Sequence, residues 1–509
     1  MDAVPARSTT RIRLLLPALA LLAVPACTSP PTTANTAHEG PPDHVAAVCG
    51  HVEPGPVTPP AGAVVVHPGL PNDLAVQTAD HPPGTTFWLA PGRHVLGDDQ
   101  YDQIQPRNGD VYLGAPGAVF DGRGVNRYAF AGSGANVTIS HLVVTGFNAP
   151  VNEGVVNHDS GDGWVIEHNS IEDNHGAGLM AGARQQVRGN CLRTNGQYAM
   201  NAYQAGDHIT GLVVEGNEIT GNNTDHLEEQ YKGCGCTGGI KFWAVDGADV
   251  RGNWVHDNQG TGLWADTGNN DFLIEGNVIE GNGGSAIIYE TSYNAVIRDN
   301  TIRRNNWVDG RSFVDKGDTF PAATIYISES GGEPRVPART DKIEITGNDL
   351  IDNWSGVTLW ENADRFCNSA ANTSTGYCTR LVRDAATCSQ PAIATPPLYG
   401  DCRWKTQRVD IHHNRFSLDP KVVGCTALCG RMAVLSNYGT YPDWSPYRGE
   451  VIRQAITFHQ GNQWHDNTYA GPWSFMALDT NGVLDTLAWQ APPYQQDTGS
   501  TFTGGTGSR

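Results

Sequence analysis

The chain has 509 residues, with 33 Lys and Arg against 53 Asp and Glu, a formal charge of −20. That balance argues against nucleic acid or an anionic membrane surface as partner, because phosphate binding depends on clustered positive charge. Sixty Gly and 31 Pro announce many turns, while 17% charged residues is too few for a charge-driven disordered polymer.

Arg7, Arg11 and Arg13 precede an apolar run from Leu14 to Val24, which ends in Val24-Pro25-Ala26-Cys27. A basic head, a short apolar stretch and small residues before a cut site read as an export signal over 1–26. The run is too short to span a bilayer comfortably. The segment resembles a bacterial lipoprotein signal, which implies acylation of Cys27; simple secretion is the alternative, since Pro25 departs from the usual pattern. Membrane association is thus expected only through a lipid anchor. Losing 1–26 removes three Arg and one Asp and deepens the charge to −22. Residues 27–60 read as a flexible tether, Pro- and Thr-rich at their start. The ten Cys beyond Cys27 are an even number suited to an oxidising compartment.

Asn72 to Val76 is expected as a short capping helix ahead of a first strand at Thr86–Leu89. Then a repeat of about 23 residues takes over. Asn253, Asn277 and Asn300 recur 24 and 23 residues apart, and Asn258, Asn282 and Asn305 keep the same spacing. Weaker copies stand at 166–174, 187–195, 214–222 and 345–353, with degenerate ones at 411–417 and 464–470. Each unit alternates short apolar runs with Gly and Asn and shows no helical period. Three short strands per coil, stacked in register, would bury Val, Ile and Leu inside, while matched Asn residues form amide ladders. The pattern resembles the right-handed parallel β-helix family typified by pectate lyases. It implies an all-β solenoid over 61–490, capped at both ends, with a disulfide-bearing insertion at 362–407 holding Cys367, Cys378, Cys388 and Cys402. Phe475, Leu478, Leu484, Leu487 and Trp489 would cover the C-terminal end, and 491–509 would form a tail, loose from about 497. Cys425 and Cys429 follow the insertion, and Cys234 and Cys236 are too close to pair comfortably.

Alternation along one strand of each coil sorts inside from outside. Trp243, Asp266, Glu290, Ser328 and Trp360 fall in one exterior column, with Lys241, Trp264, Ile288, Tyr326 and Thr358 beside it. Neighbouring strands lie about 4.8 Å apart. Lys241, Asp266 and Glu290 are therefore the catalytic candidates, and Trp243, Trp264, Tyr326 and Trp360 the sugar-stacking ones. Two carboxylates one coil apart suit glycoside hydrolysis. The plainer reading pairs Asp266 with Lys241 and leaves Glu290 in solvent. Elimination on a uronate is a second chemistry, with Ca²⁺ possible as cofactor on oxygens from Asp266, Glu290 and Asp271 or Asp299. No dedicated metal site is expected. Asp225, His226, Glu228 and Glu229, in the loop ahead of Lys241, read chiefly as loop polarity. The expected protein is an exported monomer that binds and cleaves a polysaccharide or cell-surface glycan; the alternative is a non-catalytic adhesive solenoid.

Overall fold

A computed structural model describes residues 45–206, 208–231, 238–362, 378–382, 384–436, 450–480 and 482–504. The expected signal, Cys27, Cys234, Cys236 and Cys367 lie outside them. One coil shows how the sequence becomes structure. Asp249–Arg251, Trp254–His256 and Thr261–Ala265 are three short strands, repeated in the next coil by Asn270–Glu275, Val278–Glu280 and Ile287–Glu290. Each strand pairs with its successor, giving sheets of fifteen, thirteen and eleven strands. Among the described residues these pairings are parallel, except for Ser474–Ala477 against Val483–Leu484 at the C-terminal end. Val250, Val255 and Leu263, then Ile274, Ile279 and Ile287, point inward and are almost wholly buried.

Side-chain amides run along two corners. Between the fifteen- and thirteen-stranded sheets, Asn253 donates to Asn277 at 3.0 Å, Asn277 to Asn300 at 3.0 Å, and Asn300 to Asn348 at 2.9 Å. The ladder continues through Asn414 to Asn467. Between the thirteen- and eleven-stranded sheets, Asn258, Asn282, Asn305 and Asn353 do the same. The residue before each Asn of the first ladder turns the corner in a left-handed conformation, as at Gly252 (φ 61°) and Gly276 (φ 62°). Glycine adopts that backbone without a Cβ penalty, which explains the recurring Gly-Asn pairs.

Excursions stretch the repeat. A helix at Trp307–Lys316 enlarges one coil, so Asn300 and Asn348 are 48 residues apart yet adjacent in the ladder. The insertion before Val409 contains short helices at Gln390–Ile393 and Leu398–Asp401, and the expected stapling is seen in the Cys388–Cys402 disulfide. Cys425 pairs with Cys429.

Both ends differ from the expectation in detail. The helix covers Asp73–Asp80, but a strand at Val64–Val66 precedes it and pairs with Thr86–Leu89, so the latter is the second strand. At the other end Phe475 and Trp489 stack at 4.9 Å in the core, whereas Leu487 is 78% exposed. Residues 497–503 are not loose. Thr501–Thr503 adds the last strand to the thirteen-stranded sheet, and Asp497 lies buried beneath it. That carboxylate accepts from Trp489, Tyr469, Asn467 and Ser500, and burial still raises its pKa.

The stretch expected as a tether is likewise not free throughout. Residues 45–56 lie along the solenoid as a strap. Cys49 is disulfide-bonded to Cys191, 142 positions on. The Val48 and Cys49 amides both donate to Glu218, at 2.6 and 2.8 Å. Val45 packs on Trp254 and Val278, and Trp88 donates to the Pro56 carbonyl. Covalent pinning and buried hydrogen bonds outweigh the flexibility that the composition suggests.

Candidate active site

The outer face of the eleven-stranded sheet assembles the expected columns. Register places Lys241 beside Trp264, Trp264 beside Ile288, Ile288 beside Tyr326 and Tyr326 beside Thr358. Glu290 lies beside Ser328, and Ser328 beside Trp360. The Asp266 amide donates to the Phe242 carbonyl at 2.9 Å, which carries the ladder past the strand end and sets Asp266 next to Trp243. Inward alternation holds as well, since Ile240, Phe242, Leu263, Ala265, Ile287 and Tyr289 are all core residues.

Side chains link the columns diagonally. The Lys241 ammonium pairs with Asp266 at 2.9 Å, with 15% and 12% of the two side chains exposed. It also sits 4.7 Å above the Trp264 ring, a cation–π contact. The Thr267 hydroxyl donates to the other Asp266 oxygen at 3.0 Å. One coil on, the Trp264 indole donates to Glu290 at 3.2 Å. The plainer reading therefore describes Asp266 correctly but not Glu290, which is 6% exposed and hydrogen-bonded.

The aromatic row divides in two. Trp243 and Trp264 are half-buried on the face. Tyr326 and Trp360 meet Phe320 edge-on, at 6.0 and 5.4 Å, and Trp360 packs into a cluster with Ala433, Leu435 and Met476. Phe320, which follows the helix Trp307–Lys316, thus engages the two rings expected to stack on sugar. Toward the other end the face holds an aromatic that the repeat alignment missed. The Trp243 amide donates to Ala202, which puts Tyr203, 42% exposed, beside Trp243. It directly follows the strand Tyr198–Ala202, whose register is hidden because that coil's Asn spacing is 27 and then 36 residues.

The insertion flanks this face. Arg380 grips Asp246, three residues after Trp243, through two contacts of 2.5 Å, and the Trp404 ring meets Tyr293 at 4.6 Å, tilted by 36°. In the loop ahead of Lys241, Asp225 pairs with His175 at 3.0 Å, while residues 232–237 lie outside the described structure. The oxygen set considered for Ca²⁺ is not assembled. Asp271 belongs to the fifteen-stranded sheet and pairs with Arg339 at 2.9 Å, and Asp299 follows another strand of that sheet. Among the described residues no three His, Cys, Asp or Glu gather so as to hold a metal ion.

A second polar cluster, unforeseen in the sequence, stands under the strap. His256, 4% exposed, stacks on Trp254 and reaches Glu218 at 3.3 Å and Asp257 at 2.8 Å. Burial pulls its pKa down, but the two carboxylates outweigh that and hold it above the ordinary histidine value. Burial raises Glu218, yet His256 and the strap amides lower it further, so its net shift is downward. This cluster holds the strap.

The family model described as "Right handed beta helix region" matches residues 230–374. The fold is a right-handed parallel β-helix. Among solved structures, the chain is similar to the A-module of Azotobacter vinelandii mannuronan C-5 epimerase AlgE6, at 13% identity over 86% of this chain and 94% of that one, with TM-score 0.42. The Agl-KA catalytic domain is 12% identical over 89% and 70%, with TM-score 0.45. The catalytic unit of a GH87 α-1,3-glucanase from Streptomyces thermodiastaticus strain HF3-3 is 15% identical over 61% and 67%, with TM-score 0.35. At such scores the likeness adds nothing to what the strand order already shows. No curated protein matches the sequence.

Proposed function

We propose that the outer face of the eleven-stranded sheet binds a polysaccharide and hydrolyses it, with Asp266 and Glu290 as the reacting carboxyls. The observation that carries the proposal is their place on successive coils of one column. Neighbouring strands lie about 4.8 Å apart, close to the roughly 5–5.5 Å between the two carboxyls of a retaining glycosidase. Two such groups share charge poorly at this range. Asp266 is held by the Lys241 ammonium at 2.9 Å and Glu290 by the Trp264 indole at 3.2 Å, and in this reading Asp266 is the nucleophile and Glu290 the acid. Glu290 protonates the glycosidic oxygen, and the C–O bond breaks as the Asp266 carboxylate bonds to the anomeric carbon. Water then displaces Asp266 and gives its proton to Glu290. Tyr203, Trp243 and Trp264 offer apolar surface to the sugar rings.

Elimination with Lys241 as base is a weaker reading, because its ammonium already donates to Asp266 at 2.9 Å. The same ion pair favours the non-catalytic reading, in which the face only binds glycan. A polysaccharide panel scored for new reducing ends and for absorbance of unsaturated products separates the three. Reducing ends lost in Asp266→Asn and Glu290→Gln support hydrolysis; unsaturated products support elimination. Binding without turnover, unchanged in both variants, supports the adhesive solenoid.

The proposal extends to location: export as a monomer through residues 1–26, followed by a lipid on Cys27. Three disulfides among the described residues support an oxidising compartment. Metabolic labelling with a palmitate analogue, lost in Cys27→Ser, tests the anchor.

A further inference from the structure

A cavity of about 680 Å³ opens beside the last strand of the fifteen-stranded sheet, Gln463–His465. It lies between the short helix Ala455–His459 and the loop 493–498. Its size is within the range of small-ligand sites, roughly 300–1,000 Å³. It belongs to a different sheet from Lys241, Asp266 and Glu290, so it is not an extension of that face.

The chemistry of its lining is specific. Phe458 and Tyr494 bring two rings 5.7 Å apart and tilted by 32°. Gln463 and Gln495 are exposed, and their amides have no hydrogen-bond partner among the described residues. An amide donates and accepts at once, which suits hydroxyls that do both. The charged groups are already committed. His465 contacts Asp410 at 2.9 Å through one ring nitrogen and Asp466 at 2.8 Å through the other. A ligand entering here meets rings and uncommitted amides rather than a spare charge. We infer that this cavity is a second, non-catalytic binding site for a neutral saccharide, with Phe458 and Tyr494 against the sugar ring and Gln463 and Gln495 on its hydroxyls.

The full chain is applied to a microarray of neutral gluco-, manno-, galacto- and xylo-oligosaccharides beside uronate oligomers, and affinity for the best neutral binder is then measured by calorimetry. Binding to a neutral oligosaccharide should survive Asp266→Asn and weaken roughly tenfold in Gln463→Ala/Gln495→Ala, a loss of about 1.4 kcal/mol. Both glutamines are exposed, so that variant keeps its fold. Tyr494→Ala should weaken binding similarly, with Tyr494→Phe retaining most of it. Retention of uronates alone, of no neutral sugar, or of a neutral sugar indifferent to the glutamine variant overturns the inference. Binding abolished by Asp266→Asn overturns it too, by assigning all affinity to the other face.

Discussion

The Lys241–Asp266 pair is where structural and catalytic accounts of the exterior face make different demands. Removing one partner of a buried ion pair costs about 3–5 kcal/mol. With 15% and 12% of the side chains exposed, the lower end applies, about 3 kcal/mol for Lys241→Met. That variant also leaves Asp266 without the ammonium it pairs with on the preceding coil. Asp266→Asn keeps an acceptor for Lys241 and Thr267 and should cost less, about 2 kcal/mol. The double variant should cost about 3 kcal/mol rather than the sum, a coupling of about 2 kcal/mol.

Urea unfolding followed by tryptophan fluorescence is the appropriate assay. At about 2.1 cal/mol/K per residue, a domain of this size shifts its melting temperature only about 1 °C per kcal/mol. Turnover is read on the same four proteins. If Asp266 is the nucleophile, Asp266→Asn loses at least about a thousandfold in kcat, and the double variant, no less stable than Lys241→Met alone, does not regain rate. Additive stabilities within about 0.5 kcal/mol would refute the ion pair. Undiminished turnover in Asp266→Asn would refute the catalytic assignment while leaving the pair intact.

Other parts of the molecule carry their own expectations. Asn277→Ala removes the acceptor for the Asn253 amide and side chain and the donor to Val250 and Asn300, four contacts of 2.9 to 3.0 Å. With buried orphans at roughly 1–3 kcal/mol each, a loss of about 4 kcal/mol is expected by urea unfolding. Cys49→Ser/Cys191→Ser opens a closure of 142 positions, worth about 5 kcal/mol of chain entropy, and should expose residues 45–56 to added protease. The strap should also sense pH. The raised His256 contributes stability that is complete below its unfolded value of 6.5 and fades as pH rises through the folded value. The lowered Glu218 contributes above its unfolded value of 4.5 and fades as pH falls through the folded value. Proteolysis of 45–56 should therefore be slowest between these limits, and His256→Gln should remove the alkaline limb.

The sequence made the solenoid legible because a stacked coil repeats its constraints. Each ladder Asn must find another Asn one coil away, so Asn253, Asn277 and Asn300 announce adjacency by spacing alone. The exterior columns around Lys241 and Glu290 followed from the same period and from alternation. Three things were hidden. Tyr203 sits in a coil whose neighbours are irregularly spaced, so alignment slid past it. The strap was concealed because Cys49 and Cys191 meet only after seven score residues have wound into coils, and composition records no such meeting. Phe320 lies in an excursion, and an excursion's landing point depends on its own turns rather than on the repeat.

This difference has a consequence for where chemistry can evolve on such a fold. The inward residues and ladder amides are locked by neighbours on both sides, and each coil leans chiefly on the next. Exterior positions on the strands keep that regular spacing without sharing its packing demands. The face can therefore present two carboxylates at a fixed separation while excursions reshape its edges, as Arg380 does at Asp246 and Phe320 at Tyr326. If Phe320→Ala frees Tyr326 and Trp360, glycan affinity should rise on the open face and stability should fall with the lost ring contacts. If affinity is unchanged, those rings are cluster residues alone, and recognition rests on Tyr203, Trp243 and Trp264.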